Sequence, residues 1–183
     1  MAVYNKSLNL LFICEPHTAS RAVSKYLLGM QGSIGIHPHH ITVSEIREKH
    51  VLSKSSIERS HKFSVIRNIY DVLITHWIYN RETHESFHDW LRNRAHGLQQ
   101  EVNGVDTLFW RSAGVDTQVE YPFLNPYLSK ILRVGQVQLP KIGVTQGKKK
   151  WQTYYTKDDF YYVQERFPDV NKHFYLVEWE DGA

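Results

Sequence analysis

Cysteine is almost missing from this 183-residue chain: Cys14 stands alone, so no intramolecular disulfide can form and no cysteine-based metal cluster is available. A reducing compartment is compatible with that. Also missing is any apolar run long enough to span a bilayer, and the opening MAVYNKSLNLLFIC carries no secretory cleavage pattern. The expectation is a soluble, cytoplasmic protein with no membrane partner. Charge of one sign is scarce too. With 22 basic and 19 acidic residues the formal charge is +3, too little for a general polyanion-binding surface, and no nucleic-acid partner is expected. No low-complexity stretch, linker or internal repeat divides the chain. At 42% hydrophobic and 22% charged residues, positions 1–183 are expected to fold as one globular domain with a substantial core.

What is present is organised around residues 9–28, NLLFICEPHTASRAVSKYLL. Leu10, Leu11, Phe12, Ile13 and Cys14 form a continuous apolar run of the kind buried on both faces of a sheet. A compact polar segment follows, after which Ala22, Val23, Tyr26, Leu27 and Met30 recur at helical spacing. Strand, tight turn and helix start place a row of backbone N–H groups at the positive end of a helix dipole, where an anion is stabilised. His17 and Arg21 add cationic or potentially cationic side chains there, and Thr18 and Ser20 add hydroxyl donors. The segment reads either as a phosphate-binding loop or as an ordinary strand–turn–helix with Thr18 or Ser20 capping the helix. The G-x-x-x-x-G-K-[ST] signature of ATP-binding loops is missing.

Further along, Gly29, Gly32 and Gly35 end the first helix, and 33–36 is a candidate short strand. Pro38 excludes a helix through His37, His39 and His40. Thr42 with Glu45 is a capping box opening a helix to about residue 50. The next strand, KFSVIR at 62–67, runs into a helix whose Tyr70, Leu73, Ile74, Trp77 and Ile78 share one face. Strand, helix, strand, helix predicts an α/β fold with a central parallel sheet flanked by helices. Ligands of such sheets bind outside the carboxyl ends of the strands, which is where Arg67 falls. Its guanidinium fork can hold a phosphate bidentately, or it can pair with Asp71.

Together these two stretches resemble the sulfotransferases that use 3′-phosphoadenosine 5′-phosphosulfate (PAPS), in particular the carbohydrate and related bacterial branches. In that family a loop of type P-K-T-G-S-T wraps the 5′-phosphosulfate; here Pro16-His17-Thr18-Ala19-Ser20-Arg21 stands in its place, with Ala22 following. A later V-R-N-P-x-D-R-x-x-S pattern supplies an Arg and a Ser to the 3′-phosphate. It is matched by Ile66-Arg67-Asn68-Ile69-Tyr70-Asp71-Val72-Leu73-Ile74-Thr75, giving Arg67 and Thr75. His40-Ile41-Thr42-Val43-Ser44-Glu45 looks like the family's histidine and helix start between the two. Trp151-Gln152-Thr153-Tyr154-Tyr155-Thr156, followed by Asp159, Val163, Phe167, Val170 and Phe174-Tyr175, is similar to the closing motif. The basic loop Gly147-Lys148-Lys149-Lys150 before it resembles one that closes over the nucleotide, with Lys148 and Lys149 as 3′-phosphate contacts. By itself such a charge run is a solvated loop.

The resemblance implies a P-loop-like sulfotransferase fold and PAPS as co-substrate, with no metal. Sulfuryl transfer needs in-line positioning, stabilisation of charge on the leaving phosphate and a base for the acceptor's proton. His40 is the expected base with His39 in reserve, and His17 stands where the family has a cation against the leaving phosphate. His37, His39 and His40 could equally be polar loop residues. A metal site is not expected, because no cysteine or carboxylate accompanies them at structural-zinc spacing. Three further departures stand out: Ala19 replaces the loop glycine, Ile69 replaces proline, and no Glu-Asn-Leu follows a third strand sought at 131–134.

Residues 10–80 are thus expected to bind the cofactor, 81–130 to form a helical acceptor side, and 131–183 to hold a closing strand, the basic loop and a C-terminal helix. Ser86 and Asp89 read as one capping box and Thr156 and Asp159 as another. Trp90, Trp110, Tyr121, Phe123 and Tyr127 either line the acceptor site or pack internally. His84 and His88 are expected on a solvated face. The expected activity is sulfuryl transfer to a hydroxyl of a carbohydrate-like or small-molecule acceptor, in a microbial or viral setting. A PAPS-binding but inactive relative is the alternative, and a small-molecule kinase is disfavoured by the loop.

Overall fold

The structure, a computed structural model, describes residues 1–80, 86–142, 145, 147–172 and 179. In chain order its elements are β1 (Ala2–Asn5), β2 (Leu10–Ile13), α1 (Ser20–Leu28), β3 (Ser33–Ile36), α2 (Val43–Glu48), α3 (Lys54–Arg59), β4 (His61–Ile66) and α4 (Ile69–Tyr79). They continue with α5 (Phe87–Asn93), β5 (Gln100–Val102), β6 (Val105–Thr107), β7 (Thr117–Glu120), α6 (Leu124–Leu132) and α7 (Lys157–Arg166). Two compact units contain them: Met1–Ile66 with Arg111–Val144, and Arg67–Trp110 with Thr145–Ala183. Among the described residues no helix is long and apolar enough to cross a membrane.

The first unit is built on a five-stranded sheet in the order β3-β1-β2-β4-β7. Every residue of β2 is buried, because the strand has a core on each side. Leu10 and Phe12 face Val23 and Leu27 of α1 and Leu124, Leu128 and Leu132 of α6. Leu11 and Ile13 face Ile41, Val43, Ile46 and Ile57, from α2, α3 and the chain leading into α2. The expected α/β architecture is present, but the sheet is mixed rather than parallel. β2, β4 and β7 run parallel, whereas β1 is antiparallel to both of its neighbours. The reason is local. Only a short turn at 6–9 joins β1 to β2, and a connection that short can make only an antiparallel pair. Asn5 fixes the turn by accepting the Leu8 N–H at 2.9 Å.

A second correction concerns the third strand. The closing strand sought at 131–134 is the end of a helix. Leu124, Leu128 and Leu132 lie four apart and put one face of α6 on the core, and Pro126 sits in its first turn, where proline is tolerated. The third parallel strand is β7, paired Ile66 to Glu120, so that buried Glu120 closes it at the carboxyl edge. Nor is 81–130 wholly helical. Besides β7 it holds the β5–β6 hairpin, turned by Asn103 (φ 53°) and Gly104 (φ 81°), the positive-φ pair that two-residue hairpins require.

In the second unit Asn68 caps α4 by accepting the Tyr70 N–H at 3.0 Å. Buried Tyr70 then stacks on Trp151 and Phe160, with ring centroids 4.7 and 4.9 Å away. Tyr155 meets Tyr70 edge-on and donates its hydroxyl to the Tyr70 carbonyl at 3.0 Å. Thr156 and buried Asp159 form the expected capping box of α7. The other oxygen of Asp159 accepts from His88 Nδ1 at 2.7 Å and Arg92 at 3.3 Å, which clasps α5 to α7.

Candidate functional site

β2 and β4 are parallel neighbours, so the chain leaves both strands at the same edge of the sheet. After β2 it forms the turn expected to hold a phosphate. Cys14, Glu15 and Thr18 are buried within it. Left-handed backbone at His17 (φ 60°) and Ala19 (φ 65°) folds it back into α1. Neither expected cap forms. Ala19 is the N-cap residue and has no side-chain cap; Thr18 Oγ1 donates to the Glu15 carbonyl at 2.9 Å, and the Ser20 hydroxyl donates to the same oxygen. Both hydroxyls therefore brace the turn. A left-handed residue followed by a helical one is a backbone pattern of anion-binding nests, and Ala19 with Ser20 has that pattern.

Ala19 occupies a conformation that a Cβ disfavours by about 1–2 kcal/mol. Ala19→Gly is expected to stabilise the fold by about 0.5–1 kcal/mol, that penalty less the freedom glycine adds to the unfolded chain. Urea melts measure it. A midpoint that stays or falls would mean the methyl contributes more to packing than its backbone costs.

His40 stands behind this turn. Its Nδ1 lies 3.2 Å from the Cys14 carbonyl, an acceptor only, so Nδ1 carries the hydrogen and Nε2 is the proton-accepting nitrogen. Burial holds its pKa below the ordinary imidazole value against that hydrogen bond, and Arg111 and His39 depress it further. The side chain is therefore neutral at neutral pH. His39 is exposed and lies 2.8 Å from the Met1 amine, which lowers its pKa, and its ring is not anchored on the turn. Also at this place is half-buried Arg111. The neighbouring Ser112 N–H donates to the Glu15 carboxylate; burial lowers the Arg111 pKa while Glu15 and Glu45 raise it.

A cavity of about 350 Å³ adjoins the start of α1. Ala19 and Ala22 form one wall, Tyr121, Pro122 and Leu124 another, and residues 139–142 the third, with Lys141 and Asn125 as its polar members. Its volume lies at the small end of the range for ligand pockets.

The second unit assembles the other expected contacts. Lys148 Nζ lies 2.6 Å from the Asp71 carboxylate and donates to the Asp71 carbonyl at 3.0 Å and to Thr75 Oγ1 at 2.9 Å. Arg67 pairs with the same carboxylate. Buried Thr75 donates to the Asp71 carbonyl at 2.8 Å. Arg67, Thr75 and Lys148 are thus brought together around Asp71. Lys149 is not part of this group: its side chain is exposed and its N–H donates to the Tyr154 hydroxyl at 3.1 Å.

Comparison with protein-family models, with curated proteins and with solved structures returns no match for this chain.

The aromatic residues weighed for an acceptor site divide. Trp90 is buried and stacks on Phe87, and Tyr127 bonds His61 and packs on Phe63, so these serve packing. Phe123 and Tyr121 are exposed, and Tyr121 lines the cavity. His84, and Phe174 and Tyr175 of the closing motif, lie outside the described residues. Among the described residues no group of three or more His, Cys, Asp or Glu side chains is placed to hold a metal ion. Sequence reasoning missed Glu15, Arg111 and Glu120 altogether and gave Asp71 only the pairing with Arg67. Their one sequence signal is position, since Glu15 and Glu120 each end or follow a strand of the parallel set.

Proposed function

We propose that this protein transfers the sulfuryl group of PAPS to a hydroxyl of a small or carbohydrate-like acceptor. One observation carries the reading. Arg67, Thr75 and one of the two lysines expected at the 3′-phosphate, Lys148, gather on one carboxylate, although Lys148 lies 73 positions from Thr75. Two cations and a hydroxyl are the donor set that a terminal phosphate needs. In the first unit, taken by itself, the turn after β2 leads into a helix start of the kind that holds a phosphosulfate, and the adjoining cavity has room for a purine ring. Buried Glu120 closes the third parallel strand, although Tyr121-Pro122 and not Asn-Leu follow it.

In this reading the acceptor oxygen attacks sulfur in line with the bond to the phosphate. Its proton passes to His40 Nε2, the S–O bond to the phosphate breaks, and the bond electrons leave on the phosphate. Backbone N–H groups at the start of α1 meet that growing charge, with His17 donating one further hydrogen bond. His17→Lys is expected to keep cofactor affinity and to hold or raise turnover. His17→Ala should lower turnover roughly five- to tenfold, more than it lowers affinity, because the charge it meets grows in the transition state. Unchanged turnover in His17→Ala would assign that charge to the backbone alone.

The inactive-relative reading is favoured by one observation, the strained Ala19 at the position where the family has glycine. Sulfate transfer from labelled PAPS to an acceptor panel separates it from the enzyme. Calorimetry with adenosine 3′,5′-bisphosphate and with ATP tests the cofactor class. Tight ATP binding without bisphosphate binding would overturn the proposal in favour of a kinase.

A further inference from the structure

Three charged side chains of the second unit, Arg67, Asp71 and Lys148, meet around one carboxylate. Lys148 is 10% exposed at its side chain, Asp71 18% and Arg67 29%, so the group is largely shielded from water. Two cations against one carboxylate leave it a single net positive charge. Lys148 spends its three N–H donors on Asp71 Oδ1, the Asp71 carbonyl and Thr75 Oγ1. Two of those three bonds do not involve the carboxylate. If the carboxylate swings away, Lys148 stays where it is, held by a helix carbonyl and a buried hydroxyl. The carboxylate is thus the exchangeable member of the group.

We propose that Asp71 sets the charge class of the ligand accepted here: a dianionic phosphate monoester, and not a monoanionic phosphodiester. The inference rests on reading the Arg67–Thr75–Lys148 group as a phosphate site. An incoming anion competes with a carboxylate that is tethered to α4 and therefore present at high effective concentration. A monoanion carries the same charge as its competitor and gains nothing by replacing it. A terminal phosphate carries nearly twice that charge once its second proton, with a pKa of about 6, has left. Coulomb attraction scales with that charge, so only the monoester out-competes Asp71 for both cations. Specificity of this kind comes from a built-in rival and not from an added contact.

The test is calorimetry on the whole protein at pH 8 with adenosine 3′-phosphate, a monoester, and adenosine 3′,5′-cyclic phosphate, a diester. Wild type is expected to bind the monoester at least about tenfold more tightly, roughly the worth of one charge-assisted contact. Asp71→Asn keeps the shape and removes the rival charge. It should bind the diester on the order of tenfold more tightly than wild type does, narrowing the gap. A gap unchanged in Asp71→Asn overturns the inference, and so does equal binding of both ligands by wild type. Circular dichroism checks the variant's fold; Asp71→Ser serves if Asn at 71 does not fold, and the wild-type comparison stands without either. Inorganic phosphate that binds more tightly to Asp71→Asn, in a protein that transfers no sulfate from PAPS, would keep this inference and remove the sulfotransferase reading. No binding of any of these ligands to either protein overturns both.

Discussion

His40→Ala is expected to cut turnover by ~10²–10⁴-fold while leaving cofactor affinity nearly unchanged, the signature of a lost general base. The structure makes this a sharper expectation than the sequence did. His40 is half-buried, its Nδ1 hydrogen is directed at the Cys14 carbonyl, and Nε2 is left as the accepting nitrogen. Its pH dependence has a definite sign. A base works only when unprotonated, so turnover should climb as pH rises through the His40 pKa and then level off. Burial places that midpoint below the ordinary 6.5 in the protein alone, and bound phosphates pull it upward. The variant should lose the rising limb. Because His40 has φ 64°, His40→Asn is the better-folded control: asparagine tolerates that backbone and can still donate to Cys14, but cannot take the proton. Full activity in both variants, with loss in His39→Ala, would transfer the role to the exposed neighbour. Full activity in all three would send the search to His88, held by Asp159 at 2.7 Å.

Arg67→Ala should weaken adenosine 3′,5′-bisphosphate binding by about 1.5–3 kcal/mol, the loss of one charge-assisted bidentate contact. Adenosine 5′-phosphate, which has no 3′-group, should lose much less. The contrast between the two ligands is the measurement, since general damage to the fold would weaken both. The pairing of Arg67 with Asp71 also means that the variant leaves the carboxylate to Lys148 alone. Equal losses for both ligands would remove Arg67 from the 3′-phosphate and leave it as an ion-pair partner of Asp71.

How far the sequence could be read depended on whether a segment's partners lay nearby. β2, α1, β4 and α4 are continuous apolar or periodic runs, and the Thr42 and Thr156 capping boxes are written within four residues, so all were legible. β7 was not. Its TQVE holds a single apolar residue, Val119, and the more apolar ILRV downstream drew the assignment to what is a helix end. β1 was hidden in the same opening run as β2, split by a polar turn that reads as a loop. The β5–β6 hairpin did carry a signal, Asn103-Gly104 between Val102 and Val105. At the site, Arg67, Thr75 and Lys148 could be named individually, but nothing local joins a helix residue to one 73 positions away. Buried carboxylates were the hardest class. Glu15 and Glu120 look in sequence like any solvated acid, and only the assembled core shows that water has been removed from them.

The lone thiol has a use that follows from where it lies. Cys14 is fully buried in the sheet core on the α1 side, its Sγ donates to the Met1 carbonyl at 2.6 Å, and burial pushes its pKa up. Alkylating reagents attack the thiolate, so they must wait for an opening that parts β2 from α1. Since no second cysteine competes for reagent, the labelling rate of the native protein is a clock for that opening. Ligands that grip the turn after β2 will slow the clock.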